Sequence, residues 1–275
     1  MLAGAHTEEL ADGKLLVDRP AEAVVRLTIS NPEKRNALDH PILDAIAATL
    51  TEQARPDSGA RCLIVTGAHG LFSAGYEIGG INDGRFEEEA ERLVAHPFTE
   101  AIEALERFPY PTLAALPGHT IGGGLELALA CDLRVGVEQI KLGMPPARLS
   151  LVYSHTGLRR FIDAIGVPRT RELFLLGSYI DAGTALGWGL VNRVCPADEL
   201  ERVTLALAGE LAGNAPLSQV GNKRVIAALL DAGGALPADV EAELLELRRA
   251  SFASEDMREG MAAFAEKRAP RWSGR

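Results

Sequence analysis

Two glycine-rich segments of the sequence could place backbone amides around a single point. Residues 72–78 (FSAGYEI) follow an apolar run at 61–66, and residues 118–126 (GHTIGGGLE) follow another at 112–116. Short runs of apolar and β-branched residues predict strands, so each segment is expected to leave the end of a strand. The N–H groups of two neighbouring turns can form an oxyanion hole, which stabilises negative charge on a substrate oxygen. The glycines could equally serve only tight turns and close helix packing, and the residue pattern leaves both interpretations open.

Glu126 ends the second segment, at the start of a predicted helix. A partly buried carboxylate at this place could have a raised pKa and act as a general acid or base. A glutamate in the first turn of a helix can also act as a cap that the helix dipole favours. The pattern by itself does not choose between these two roles.

Other catalytic chemistries have weaker support. The glycines within residues 65–70 do not fit the spacing of a dinucleotide-binding G-x-G-x-x-G. Ser73 lies in a segment that resembles a nucleophile elbow, but Leu71 stands where that motif requires glycine. The histidines are His6, His40, His69, His96, His119 and His155. They do not have the spacing of metal ligands, so no metal site is expected.

The elements that must position these segments alternate between strands and helices. Besides the two strands above, the pattern predicts strands at residues 14–18, 24–29, 132–137 and 190–194. Asp39 is expected to cap a helix with an apolar stripe, and residues 87–108 show a helical period. This order predicts an α/β fold with a parallel or mixed sheet.

Beyond residue 196 the pattern becomes helical. Residues 197–213, 216–232 and 237–267 combine Leu and Ala stripes with Gly or Pro breaks. We therefore expect an α/β core over residues 1–200 and a helical subdomain over residues 201–275. The two should pack together, because no low-complexity linker divides them.

The composition argues against several classes of protein. The chain has 275 residues, 47% of them hydrophobic, and a formal net charge of −10, which disfavours nucleic acid and anionic membrane surfaces as partners. Gly, Pro or a charged residue interrupts every apolar run before it reaches a membrane-spanning length. The three cysteines are not closely spaced, and the first ten residues lack a secretory pattern. A reduced, cytoplasmic protein is therefore expected.

Four motifs, in order along the chain, resemble those of the enoyl-CoA hydratase/isomerase (crotonase) superfamily. They are residues 31–38 (NPEKRNAL), 72–78 (FSAGYEI), 122–132 (GGGLELALACD) and 259–268 (EGMAAFAEKR). The resemblance implies a crotonase-like spiral of repeated ββα units with a C-terminal helical part that builds homotrimers, often stacked as hexamers. It also implies an acyl-CoA thioester substrate and chemistry through a thioester enolate.

The resemblance assigns roles to individual residues as well. The oxyanion hole would consist of the backbone N–H groups of Tyr76 and Gly123, and Glu126 matches the first acid/base carboxylate of the hydratases. Coenzyme A would enter as part of the substrate, with no separate cofactor. The residues expected to bind it are Lys34, Arg35, Ala74, Phe264 and Lys267. The last two would come from a neighbouring subunit.

One position departs from the hydratases of this family. Pro146 stands where they carry a second acid/base glutamate, and proline cannot exchange a proton. Residues 144–153 are most similar to the methylmalonyl-CoA decarboxylase branch, which also has Pro here and a tyrosine seven residues later. Loss of carbon dioxide leaves the electron pair on the α-carbon, so decarboxylation needs no base. Tyr153 would then bind or orient the departing carboxylate, although its ring could also belong to the core.

The sequence therefore predicts an enzyme that decarboxylates a small malonyl-type CoA ester. Two alternatives remain open: an enoyl-CoA hydratase that uses Glu126 alone, and a noncatalytic acyl-CoA-binding oligomer. The role of His155, beside a predicted helix start, also stays open.

Overall fold

A mixed β-sheet carries the two glycine-rich turns. The computed structural model describes residues 7–77, 97–149, 151–232 and 237–275. Within these ranges the main sheet has seven strands: β1 (Glu8–Leu10), β2 (Leu15–Ala21), β3 (Val24–Ile29), β4 (Cys62–Gly67), β5 (Thr112–Leu116), β7 (Leu133–Val137) and β10 (Arg193–Cys195). Their spatial order is β1-β2-β3-β4-β5-β7-β10.

Strand pairing in the main sheet changes from antiparallel to parallel at β3. β1, β2 and β3 pair antiparallel, whereas β3, β4, β5, β7 and β10 pair in parallel. Parallel neighbours end at the same edge of a sheet and need crossover connections. The chain therefore leaves β4 and β5 at the same edge of the sheet, where both glycine-rich turns begin.

A second, smaller sheet supports the turn after β5. Its strands are β6 (Thr120–Ile121), β8 (Lys141–Gly143) and β9 (Tyr179–Asp181). β6 pairs in parallel with β8, and Gly122 N donates to Gly143 O at 2.9 Å. The sequence pattern does not predict these strands, because runs of two or three residues are too short to show a period.

Nine α-helices surround the two sheets in the part of the chain that the structure describes. They are α1 (His40–Gln53), α2 (Thr99–Glu106), α3 (Gly123–Leu129), α4 (His155–Leu176), α5 (Ala182–Trp188), α6 (Leu200–Ala212), α7 (Pro216–Ala232), α8 (Ala238–Ala253) and α9 (Glu255–Glu266). α6 packs on β4, β5 and β7, and α1 packs on α2. The core lies between these helices and the sheet.

Most predicted elements are present with small shifts. The strands predicted at 24–29 and 112–116 have these bounds, and Asp39 caps α1 by accepting a 3.0 Å hydrogen bond from Ile42 N. The strand predicted at 190–194 is wrong in its bounds, because Leu190 and Val191 are buried in a turn before β10. α2 lies within the predicted helix at 87–108, of which residues 87–96 are outside the described ranges.

The C-terminal helices are more divided than the pattern predicts. The helix expected over residues 237–267 is two helices, α8 and α9, because the Ser254 hydroxyl accepts a 2.9 Å hydrogen bond from Met257 N. A serine in this role caps the start of a new helix. The division of the chain at residue 200 stays a prediction.

The last residues fold back on this helical region. Trp272 Nε1 donates to Gly213 O at 2.7 Å, and the buried Asp256 carboxylate accepts Ser273 N at 2.6 Å and Gly274 N at 3.0 Å. These bonds join the C-terminal tail to the end of α6 and the start of α9.

Candidate active site

The two glycine-rich turns lie against each other. Ser73 forms a parallel bridge with Thr120, and Ile121 N donates to Ser73 O at 3.0 Å. A Cβ built on Gly75 would lie 3.2 Å from Gly123 N, and the φ of Gly75 is +98°, which favours glycine. The approach that the sequence predicts for the two segments is therefore present.

Close packing explains the glycines that open α3. A Cβ on Gly123 would lie 2.8 Å from Cε1 of Tyr76, and a Cβ on Gly124 would lie 2.6 Å from the Cβ of Ser73. Any larger residue would push the two turns apart. The tight-turn interpretation thus holds, and it is compatible with an amide site at the same place.

Two backbone amides remain available at this junction. The peptide groups beside Tyr76 are paired, since Leu38 N donates to Gly75 O at 2.7 Å and Glu77 N donates to Leu38 O at 3.0 Å. Within the described ranges, the N–H groups of Tyr76 and Gly123 have no hydrogen-bond acceptor. Two amides with this freedom are what an oxyanion hole requires.

Residues 31–38, the first of the four motifs, form hydrogen bonds that hold the turn after β4. Ala74 N donates to Arg35 O at 3.1 Å, and the buried Asn36 side chain donates to the carbonyls of Ala68 and Leu71. Lys34 and Arg35 are exposed beside this turn, and Lys34 forms a 3.2 Å ion pair with Glu77. The structure therefore brings Lys34, Arg35 and Ala74 to the edge of the site.

Glu126 lies in the first turns of α3 and is almost completely buried. Its Oε2 accepts a hydrogen bond from the Tyr153 hydroxyl, and its Oε1 accepts one from Arg160 Nη1 at 3.1 Å. The start of α3 has no side-chain cap. The carboxylate thus contacts side chains of the site, which argues against the capping role.

Burial raises the pKa of Glu126 above its ordinary value, while the Tyr153 hydroxyl and the Arg160 guanidinium oppose this rise. Burial also raises the pKa of Tyr153 well above the usual range, and the negative charge of Glu126 adds to that effect. The tyrosine hydroxyl therefore keeps its proton and donates a hydrogen bond to the carboxylate. A carboxylate with a raised pKa beside a neutral hydroxyl suits proton exchange.

Two tyrosines join Glu126 to the glycine-rich turns. The Tyr76 hydroxyl lies 3.5 Å from the Tyr153 hydroxyl, and the Tyr76 ring packs edge-on against Phe98 at 4.6 Å between centroids. The Tyr153 ring packs against Phe174 at 5.4 Å. Tyr153 is thus partly a packing residue, but its hydroxyl points into the site.

The remaining predicted positions have different surroundings. Pro146 is buried at the start of a 3₁₀ turn, and His155 is the exposed first residue of α4. Lys267 is exposed just after α9, and the side chain of Phe264 is outside what the structure describes. The assignment of Lys267 and Phe264 to a neighbouring subunit's site stays a prediction.

Sequence reasoning misses three residues that shape the site. Arg160 contacts Glu126, Glu106 holds Arg160, and Gly157 leaves room for both Tyr153 and Glu126. The sequence does contain a signal for the helix that carries Gly157 and Arg160. Ser154, a helix-capping residue type, precedes Gly157, Arg160 and Phe161 at helical spacing.

Comparison with known proteins places this arrangement in a family. The family model described as Enoyl-CoA hydratase/isomerase matches residues 19–275. The chain belongs to this family. A probable enoyl-CoA hydratase of Bacillus subtilis is 35% identical over 257 residues, which cover 91% of this chain and 95% of that protein. A probable enoyl-CoA hydratase of Mycobacterium tuberculosis is 34% identical over 269 residues, which cover 95% and 98%.

The fold agrees with the family. The crystal structure of an enoyl-CoA hydratase from Bacillus anthracis is 30% identical, has a TM-score of 0.86, and is covered over 100% of its length by 95% of this chain. The expected crotonase-like α/β fold is confirmed, and the chain is an enzyme of this superfamily, for which an acyl-CoA substrate is expected. Among the described residues, no helix combines the length and apolar character needed to cross a bilayer.

Proposed function

We propose that the protein stabilises a thioester enolate between the backbone amides of Tyr76 and Gly123, and that it decarboxylates a small malonyl-type CoA ester. In this reaction the bond between the α-carbon and the carboxylate breaks. The electron pair passes to the thioester oxygen, carbon dioxide leaves, and the α-carbon then takes up a proton. Negative charge on the thioester oxygen appears only as the bond breaks, so amides fixed in advance favour the transition state.

The observation that carries the proposal is the hydrogen bond between Tyr153 and Glu126, together with a buried proline at position 146. Hydration of a double bond by two carboxylates needs a second acid, and Pro146 cannot supply one. Decarboxylation needs no base, and Glu126 with its Tyr153 partner supplies a proton-exchanging group for the enolate. To bind the departing carboxylate, the Tyr153 hydroxyl would turn its single proton from Glu126 to the substrate.

The aromatic side chains support a small acyl group. The Tyr76 ring lies against the backbone of Gly123 and against Phe98, so it occupies space directly beside the two amides. We propose that this ring limits the acyl group to a short one.

Exposed cations support binding of an anionic coenzyme A carried by the substrate. Lys34 and Arg35 lie beside the turn that contains Ala74, which we propose contacts the thioester portion. Phe264 and Lys267 of a neighbouring subunit would complete the CoA site in a cytoplasmic homotrimer or hexamer. Exposed apolar side chains in the helical region, among them Ile226, Leu229 and Met261, suit such a subunit interface.

A second candidate reaction is hydration of an enoyl-CoA by Glu126 alone. The names of the two relatives described above favour it, since both are called probable enoyl-CoA hydratases. A noncatalytic acyl-CoA-binding protein is the third alternative, and the buried, hydrogen-bonded Glu126 argues against it.

The deciding experiment gives wild type and Tyr153→Phe methylmalonyl-CoA and crotonyl-CoA in parallel. We expect carbon dioxide release by wild type and a loss of about ten- to a hundredfold in Tyr153→Phe, because a hydrogen bond to a charged group contributes roughly 1.5–3 kcal/mol. Tyr179→Phe is the matched control, since Tyr179 is exposed on β9. Fast hydration without carbon dioxide release, unaffected by Tyr153→Phe, would establish the hydratase instead. No turnover of either thioester would favour the binding protein.

A further inference from the structure

A three-residue ion-pair cluster lies behind the Glu126 carboxylate. Arg160 Nη1 donates to Glu126 Oε1 at 3.1 Å, while Arg160 Nε and Nη2 donate to the two carboxylate oxygens of Glu106 at 2.5 and 2.9 Å. The exposed fractions of the side chains are 3% for Glu126, 17% for Arg160 and 38% for Glu106. The cluster thus runs from the buried site toward the surface.

The cluster joins three separate helices. Glu126 lies on α3, Arg160 on α4, and Glu106 ends α2. A guanidinium held by two bonds to one carboxylate has its plane fixed, so its three remaining N–H groups point in defined directions. One of them, on Nη1, points to Oε1 of Glu126. The opposite oxygen, Oε2, is then presented to the Tyr153 hydroxyl.

Four titratable or charged groups act on Glu126 from the surrounding elements. Tyr153 and Tyr76 are neutral hydroxyls, Glu106 is an anion, and Arg160 is the cation of the set. The buried Arg134 donates to the carbonyls of Leu129 and Cys131, at the far end of α3. Arg160 is therefore the group whose charge opposes the cost of burying an ionised Glu126.

We infer that Arg160, anchored by Glu106, is a positioning residue that fixes the Glu126 carboxylate for proton exchange at the substrate's α-carbon. This inference rests on the proposed enolate chemistry, in which Glu126 exchanges that proton. Arg160 acts through Glu126 and does not itself contact the reacting atoms.

The loss of Arg160 has a definite effect on pH dependence. Burial and Glu106 both raise the pKa of Glu126, whereas Arg160 lowers it. A nearby opposite charge favours the ionised form, so removing Arg160 should raise the pKa of Glu126. Abstraction of an α-proton requires ionised Glu126. The acid limb of its pH profile should therefore move to higher pH.

The experiment compares Arg160→Met, Arg160→Lys and the matched control Arg159→Met with wild type. Arg159 precedes Arg160 on the same helix but is half exposed and pairs with Asp163 at 2.7 Å. The first measurement is a ¹³C NMR titration of the Glu126 carboxyl, assigned with Glu126→Gln. The second is deuterium exchange at the α-carbon of butyryl-CoA in D₂O as a function of pH, with kcat and KM obtained separately.

We expect Arg160→Met to move both the NMR titration and the acid limb upward, and Arg159→Met to move neither. Arg160→Lys keeps the positive charge but loses the planar guanidinium that bonds both oxygens of Glu106. Its acid limb should therefore stay within about one pH unit of wild type. Its kcat should fall about tenfold, while its KM changes little. An unshifted titration in Arg160→Met, or full kcat in Arg160→Lys, would overturn the inference. If Arg160→Met does not fold, the kcat of Arg160→Lys decides.

Failure of the enolate chemistry, on which the inference rests, gives a different result. Wild type would then neither exchange the α-proton nor turn over the two CoA esters used above. The NMR titration would still show whether Arg160 controls the ionisation of Glu126.

Discussion

Gly157 tests whether the contact between Tyr153 and Glu126 is needed for activity. It is the third residue of α4 and is buried. A Cβ at this position would lie 2.5 Å from Cε1 of Tyr153, 2.9 Å from Oε1 of Glu126 and 2.9 Å from the Ser154 hydroxyl oxygen. Gly157→Ala therefore forces the Tyr153 ring or the Glu126 carboxylate to move.

The stability change combines two opposing effects. Replacing a helical glycine by alanine stabilises a helix by up to about 1 kcal/mol. Inserting a methyl group into a packed site typically costs about 1–3 kcal/mol. The free energy of unfolding should therefore fall by about 0–3 kcal/mol, which leaves the protein folded. A displacement of about 1 Å at reacting groups can cost a hundredfold in rate, so turnover should fall about a hundredfold.

The assay measures urea unfolding and CoA-ester turnover for Gly157→Ala and for the control Gly209→Ala. Gly209 lies on α6, exposed, with nothing within 4 Å of a built Cβ. Gly209→Ala should stabilise the protein by about 0.5–1 kcal/mol and leave turnover unchanged. Wild-type turnover in Gly157→Ala, together with a stability gain like that of the control, would refute the crowding argument and show that the contact is not required.

Two further changes test the carboxylate and the C-terminal region. Glu126→Gln should keep the fold and CoA binding, because size and hydrogen bonding are nearly preserved, while proton-transfer turnover falls about a hundredfold or more; full activity would remove Glu126 from the mechanism. Deleting residues 256–275 should weaken both oligomerisation and CoA binding, because it removes Lys267, most of α9 and the bond from Trp272 to Gly213. A truncated chain with native mass by light scattering and unchanged CoA affinity would contradict that expectation.

The sequence determines those features that depend on neighbouring residues. β3 and β5 have their predicted bounds, and Asp39 caps α1, because strand runs and helix caps are local patterns. The two glycine-rich turns are also visible, since only glycine allows the approach at Gly123 and the positive φ at Gly75. Short strands such as β6 are less visible because two or three residues show no period. The break at Ser254 between α8 and α9 is less visible because a single side-chain hydrogen bond decides it.

The tertiary structure decides what surrounds Glu126. Arg160 is 34 residues from Glu126 and 54 residues from Glu106 in sequence, and an arginine on a helix is ordinarily exposed to solvent. Folding places α2, α3 and α4 together, and only then does the Arg160 charge act on a carboxylate removed from water. The sequence therefore identifies Glu126, Tyr153 and the glycine-rich turns as candidate site residues. It does not determine the ionisation and orientation of Glu126, because both depend on burial and on charges brought close by distant parts of the chain.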